Sequence, residues 1–447
     1  MRFALLLLAL FPCSLRAADR PNVILFLIDD LGATDLRCTG SDFHETPNID
    51  RLAKQGLRFT QAYSACTVCS PTRAALLTGN YPARLHITDW IQGHKRPNAK
   101  LLVPDWTMYL PRETSTIAEV LKENGYATGT IGKWHLGTEK QGYPGDHGFD
   151  FAVGGCEKGQ PPSYFSPYKI PTLTDGRQGE YLTDREGDEA CGFIEKNKGK
   201  PFFLYMPHHA VHTPIQAKPE LVARFKAKLK DGMKHTNPAY AAMLFSLDEA
   251  IGKIVAKLDE LKLADNTLII FTSDNGGLLK ITNNIGIRAG KGSAYEGGIR
   301  IPAIVRWPGV VPMNSESAEP IITMDWFRTV IDATRSKWTT LDDGVSLISV
   351  LKDPSKNLER GAMYWHYPHY HPGGATPYSA VRVGPWKLIE FFEDAHVELY
   401  DLKNDPEEKT DLAKKEIDRV QKMRLMLEAW RLAVDAQLPT MNPNFKE

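Results

Sequence analysis

Val23-Ile24-Leu25-Phe26-Leu27-Ile28, closed at once by Asp29-Asp30-Leu31-Gly32, is an unbroken apolar run without the alternation of a half-exposed strand. Such a run reads as a strand buried on both faces, as in a parallel or mixed sheet covered by helices. Two later runs repeat the pattern: Phe202 to Met206 leads into His208, His209 and His212, and Leu268 to Phe271 leads into Asp274-Asn275-Gly276-Gly277. Helical patterns lie between them. Thr116-Ile117-Ala118-Glu119 reads as a capping box for a helix that stops at Gly125. Met243, Leu244, Leu247, Ile251, Ile254, Leu258 and Leu261 recur at helical spacing. This alternation predicts an α/β fold, a large sheet sandwiched by helices, in which ligands gather at the carboxyl ends of the strands. The Asp29-Asp30, His212 and Asp274-Asn275 clusters would then meet at one sheet edge.

After about residue 341 the pattern changes. An aromatic and histidine stretch, Trp365 to Gly374, is followed by strand-like pieces at Ser379–Val383, Trp386–Phe392 and Glu398–Leu402, then by a helix over about 412–438. The chain of 447 residues therefore divides into residues 19–340, carrying the large sheet, and 341–447, a smaller α+β subdomain. Met1-Arg2, the apolar run Phe3 to Phe11 and Ala17-Ala18 read as a signal peptide over residues 1–18. Phe11-Pro12 ahead of Cys13 argues against a lipidated cysteine. The mature chain is expected outside the cytoplasm, secreted or periplasmic, with no stable membrane insertion; there Cys38, Cys66, Cys156 and Cys191 could pair. Lys plus Arg and Asp plus Glu both number 54, which gives no electrostatic reason to expect nucleic acid as a partner. Any anion site must be local.

Cys69-Ser70-Pro71-Thr72-Arg73 places a thiol just before a Ser-Pro helix start, where unpaired backbone N–H groups favour an anion. Cys69 could be a nucleophile with a depressed pKa, or Cys66 and Cys69 could form a redox pair or half of a metal knuckle. Asp29, Asp30, Asp274 and Asn275 supply hard oxygen ligands from two strand ends, which suits Ca²⁺, or Mg²⁺, and not a thiophilic metal. His208, His209 and His212 as a Zn²⁺ site is the weaker reading.

The Cys-x-Pro-x-Arg core with its trailing Leu77-Thr78-Gly79 resembles the signature of the type I, formylglycine-dependent sulfatases of the alkaline-phosphatase-like superfamily. Further blocks look similar and run in the same order: Thr46-Pro47-Asn48-Ile49-Asp50, Gly132-Lys133-Trp134-His135-Leu136-Gly137, His147-Gly148-Phe149-Asp150, Thr272-Ser273-Asp274-Asn275-Gly276-Gly277, and Gly290-Lys291-Gly292 with Glu296-Gly297-Gly298. The resemblance implies that a separate maturation enzyme oxidises Cys69 to formylglycine, whose hydrate attacks sulfur. It implies that Asp29, Asp30, Asp274, Asn275 and modified Cys69 bind the metal and that Arg73 holds the hydrate. Lys133 and Lys291 would hold the sulfate oxygens, and His135 and His212 would move protons. His208 and His209 become candidates for a supporting or substrate-contacting role.

A sulfated carbohydrate, cleaved by exo action at galactose or N-acetylgalactosamine sulfate, is the expected substrate, with other sulfate esters such as aryl sulfates as artificial ones. The loops at 85–102, 154–180 and 365–374 would select it. Two rivals stand beside this: a phosphoester hydrolase of the same superfamily, and a glycan binder without turnover if Cys69 stays unmodified.

Overall fold

A computed structural model describes residues 20–446. The leader assigned to residues 1–18, with Cys13, lies outside them. In chain order the strands are β1 (Asn22–Ile28), β2 (Leu57–Tyr63), β3 (Leu101–Leu102), β4 (Ala127–Ile131) and β5 (Phe151–Val153). Then come β6 (Phe202–Pro207), β7 (Thr267–Ser273), β8 (Arg300–Arg306), β9 (Ser315–Ser317) and β10 (Ile321–Ile322). The last five are β11 (Met363–Tyr367), β12 (Tyr378–Val383), β13 (Trp386–Phe391), β14 (Val397–Asp401) and β15 (Thr440–Met441).

A nine-stranded sheet runs β10-β2-β8-β7-β1-β6-β4-β5, with β9 also on β2. β7, β1, β6, β4 and β5 are mutually parallel, and β8 runs antiparallel to both its neighbours, so the sheet is mixed. The unbroken apolar run of β1 has a direct cause. Ile24, Phe26 and Ile28 enter one core with Leu247, Ile251 and Ile254 of the helix Pro238–Glu260, whereas Val23, Leu25 and Leu27 enter another with Leu76, Leu77, Ile117 and Leu121. Both faces are dry, so alternation is lost.

The helix Ile117–Glu123 begins with the expected reciprocal cap: Thr116 Oγ1 accepts from Glu119 N at 3.2 Å and Glu119 Oε2 accepts from Thr116 N at 2.8 Å. Gly125 follows with φ 83°, the left-handed conformation that ends a helix.

A four-stranded antiparallel sheet, β11-β12-β13-β14, packs beside the large one. The aromatic stretch expected to lie at the mouth supplies its edge strand β11, and Trp365 and Tyr367 are buried in its core. The final helix covers Ile417–Ala433, shorter than expected at both ends. Asp411 Oδ1 accepts from Leu399 N at 3.0 Å and Ala413 N at 2.8 Å, holding that segment against β14, and Asp435 at φ 53° follows the far end.

Between the two sheets lies a buried ion cluster. Lys387 Nζ on β13 stands 3.0 Å from Glu296 Oε1 and 2.7 Å from Glu408 Oε1, and Tyr63 Oη donates to Glu296 Oε2 at 2.7 Å. The disulfides considered from sequence do not form: Cys38, Cys66, Cys69, Cys156 and Cys191 are all free, with Cys66 packed under the small sheet and Cys156 and Cys191 in the core beside β1. Among the described residues no helix is long and apolar enough to cross a membrane.

Candidate active site

Register builds the site. Ile28 pairs with Ser273 across β1 and β7, so the next residue of each strand, Asp29 and Asp274, emerge side by side; Asp274 N donates to Ile28 O at 3.0 Å. Asp30 takes φ 60°, and its backbone N–H donates to Asp274 Oδ1 at 3.2 Å. Non-glycine residues held in that region are costly and cluster at functional sites. Asn275 Nδ2 donates to Asp30 Oδ1 at 2.8 Å.

The cations come from separate loops. Just past β4, Lys133 N donates to Pro207 O at 2.7 Å, and its ammonium donates to Asp29 Oδ2 at 2.6 Å. Lys291 is placed by two backbone bonds: its own N–H reaches Gly277 O at 3.1 Å and that of Gly292 reaches Thr67 O at 3.0 Å. Its ammonium lies 2.6 Å from Asp30 Oδ1 and 3.9 Å from Cys69 Sγ. The glycines flanking these blocks are explained by contact: a Cβ on Gly290 would stand 2.6 Å from Gly277 O. The turn bearing Asp274-Asn275 and the loop bearing Lys291 therefore touch backbone to backbone.

Cys69 is the first residue of the helix Cys69–Thr78, so the helix starts one residue earlier than a start at Ser70-Pro71 would give, and Val68 makes no side-chain cap. The first-turn N–H groups are left without a side-chain cap. Burial pushes the Cys69 thiol up despite Lys133 and Lys291, and burial pushes Cys66 up to about 12. Both directions run against the thiolate-nucleophile and redox-pair readings, each of which calls for a lowered thiol pKa. One turn on, Arg73 is fully buried, with Nε and Nη2 donating to Asp274 Oδ2 at 3.0 and 2.7 Å and Nη1 to Lys133 O at 3.1 Å. It ties the carboxylate group to the cation loop.

His135 takes φ 59°; its Nε2 donates to Ile91 O, while Nδ1 is buried with no partner among the described residues. Burial, with Lys133 beside it, holds its pKa well below the usual range. His212 Nε2 lies 3.6 Å from Asp30 Oδ2, and burial depresses its pKa to about 3 although Asp30 pulls the other way. Burial alone would raise Asp30, but Lys291 and His212 hold it well below the carboxylate range. Asp274 goes the other way, raised to about 6 by burial and by Asp29.

Asp29 Oδ1, Asp30 Oδ2 and Asn275 Oδ1 are buried without a hydrogen-bond partner among the described residues. Ligand atoms of Asp29, Cys69 and Asp274 lie within 4.8 Å of one another, as do those of Asp29, Asp30 and His212. Buried unpaired oxygens are costly. Gathered at the ends of two neighbouring strands, they fit a hard divalent cation.

All ten residues singled out from sequence therefore meet at this edge. His208 and His209 do not face it: their Nδ1 atoms bond Glu186 Oε2 at 2.7 Å and Oε1 at 2.6 Å, and burial is outweighed so that Glu186 sits at about 2. That correction removes the three-histidine zinc reading. Glu186 was not foreseen, since it sits in an ordinary amphipathic helix, Leu182–Asn197. Ser70 was passed over inside its own motif: Oγ donates to His135 O at 2.9 Å and accepts from Ile91 N at 3.1 Å.

The family model described as Sulfatase matches residues 21–336, and that for the C-terminal region of N-sulphoglucosamine sulphohydrolase matches 290–432. A sulfatase of Formosa agariphila is 33% identical, over 94% of this chain and 90% of that one. An N-acetylgalactosamine-6-O-sulfatase of Bacteroides thetaiotaomicron is 30% identical, over 92% of this chain and 93% of that one. Among solved structures, Ps i-CgsB superposes with a TM-score of 0.79 at 31% identity, covering 95% of this chain and 94% of that one; it has also been solved in complex with k-i-k-neocarrahexaose.

Proposed function

This chain belongs to the sulfatase family of sulfuric ester hydrolases, and we propose that it removes sulfate by exo action from a sulfated carbohydrate in the pocket around Cys69. The observation that carries the reading is that three buried oxygens, of Asp29, Asp30 and Asn275, are left unpaired where Asn275 bonds Asp30 and the Lys291 ammonium bridges Asp30 and Cys69. Two relatives support the substrate class: one is named for N-acetylgalactosamine 6-O-sulfate, and one was solved with a neocarrahexaose. Galactose or N-acetylgalactosamine sulfate is the preferred unit.

Asp29, Asp30, Asp274, Asn275 and residue 69 would hold Ca²⁺, or Mg²⁺, which supplies a Lewis acid for the oxyanion. Formylglycine at residue 69, made by a maturation enzyme, supplies a hydrated aldehyde with one hydroxyl for attack and a second for expelling sulfate. The remaining work falls to this chain's side chains. Lys133 and Lys291 are fixed, buried cations aimed where sulfate charge accumulates, so they stabilise the transition state without reorganising. Arg73 keeps Asp274 and the Lys133 backbone in place. His212 is neutral in the resting pocket, and an arriving anion raises its proton affinity, which suits it, with Lys291, to protonate the departing alcohol. The His135 Nε2 proton is committed to Ile91 O, leaving the Nδ1 lone pair free to accept a proton.

Export of the chain would bring the enzyme to polymeric glycans outside the cytoplasm. Parallel assays of 4-nitrophenyl sulfate and 4-nitrophenyl phosphate on enzyme expressed with a formylglycine-generating partner test the reaction. Sulfate release well above phosphate release is expected. Preferred phosphate release would favour the phosphoester hydrolase, and tight glycan binding without release the non-catalytic binder.

A further inference from the structure

A cavity of about 580 Å³ next to the reaction centre takes no part in the chemistry above. The segment 89–108 forms most of its wall, and His369 and Tyr370 close it. It adjoins the site on two sides. Ile91 bonds both Ser70 and His135, and His371, next to Tyr370, lies against the loop of Lys291, since a Cβ on Gly292 would stand 2.1 Å from its ring.

The wall is pinned. Leu101 N donates to Tyr370 Oη at 3.1 Å, β15 pairs with β3, and Asn442 Nδ2 donates to Pro97 O at 3.0 Å and Ala99 O at 2.7 Å. It is nonetheless unsatisfied toward the cavity. Both ring nitrogens of His94 are buried without a partner among the described residues, although the residue as a whole is only half-buried. Leu102, Val103 and Met108 stay 43%, 40% and 43% exposed around the half-buried indole of Trp106. Apolar side chains gathered and left exposed beside a pocket mark a binding surface.

Lys95, Arg96 and Asp105 line the cavity with Asp89, whose carboxyl burial raises to about 7 while Tyr367 Oη donates to it at 2.7 Å. Arg96 is engaged, its guanidinium 5.6 Å from the centre of the Tyr370 ring. Burial, then Arg96, lowers the His94 pKa, so its imidazole is neutral and can both donate and accept. A sugar ring, with an apolar C–H face and an edge of hydroxyls, matches an aromatic wall facing an unpartnered imidazole.

We propose that this cavity holds the sugar ring next to the sulfated one, with Trp106 against its face and His94 on its hydroxyls, so that the substrate is an oligosaccharide and not a lone sugar sulfate. The inference rests on reading the reaction centre as that of a carbohydrate sulfatase, so its test reads binding, while sulfate release tests that reading separately. Calorimetry on Cys69→Ala protein would compare galactose 4-sulfate and N-acetylgalactosamine 6-sulfate with neocarrahexaose and a chondroitin 6-sulfate tetrasaccharide, respectively. At least one oligosaccharide should bind about 10-fold tighter than its monosaccharide. Adding Trp106→Ala or His94→Ala should bring that ratio towards one, with the unfolding midpoint of each variant checked so that misfolding is not mistaken for lost contacts. The proposal is overturned if no oligosaccharide outbinds its monosaccharide, if neither substitution moves the ratio, or if a steryl sulfate takes the preference instead.

Discussion

Lys387→Met removes the ammonium shared by Glu296 and Glu408, two carboxylates with side chains at most 1% exposed. Taking one partner from a buried ion group leaves uncompensated charge and costs about 3–5 kcal/mol. At roughly 2–4 °C per kcal/mol in smaller domains, and less in a long chain, the unfolding midpoint should fall on the order of 5 °C. The pH dependence is specific. Burial raises Glu408 from its ordinary 4.5 to about 7, with Lys387 opposing and Glu296 reinforcing the shift. A carboxyl raised in the folded state contributes stability that is full below its unfolded pKa and lost as pH climbs through the folded one. Without Lys387 the upward push is unopposed, so the deficit of the variant should widen between pH 5 and pH 8. Urea unfolding followed by tryptophan fluorescence at both pH values measures this. The triple variant Lys387→Met/Glu296→Gln/Glu408→Gln should recover most of the loss. A deficit below about 1 kcal/mol, the scale of a surface pair, or one independent of pH, would show that Lys387 does not hold two buried charges.

Three more outcomes are expected. Calcium at about 100 times its Kd should stabilise the protein by about 2.7 kcal/mol relative to chelated protein, and Asp30→Ala should abolish the gain in a thermal scan; an equal gain in the variant contradicts the assigned ligands. Cys69→Ser should stop after one turnover, measured as product per protein in a stopped assay, and sustained turnover would contradict the need for a second hydroxyl. Because His212 is depressed to about 3, it contributes stability that is present above pH 6.5 and lost as pH falls toward 3. His212→Gln should therefore lose less stability than the parent between pH 7 and pH 4.5, read from unfolding midpoints, and equal slopes would refute this.

The sheet was legible because burial on both faces erases alternation, which marks β1, β6 and β7 in the sequence itself. The metal-ligand carboxylates were legible for a related reason: acidic residues that end a buried strand must emerge at its carboxyl edge. Lys133, His135 and Lys291 carry no periodic signal, and only their resemblance to family blocks singled them out. Edge strand β11 was read as a loop because His366, whose Nδ1 bonds Ser379 Oγ at 2.7 Å and whose Nε2 bonds Gln437 O at 2.8 Å, is polar in sequence and satisfied only by tertiary partners. The same limit hid the clamp of Glu186 on His208 and His209, since paired buried charges leave no trace in local pattern.

The most direct test is the mass of the tryptic peptide from Phe59 to Arg73, read on protein that releases sulfate. Residue 69 should carry an aldehyde in place of its thiol, in proportion to the activity of each preparation. An active preparation in which that peptide retains unmodified cysteine throughout would contradict it.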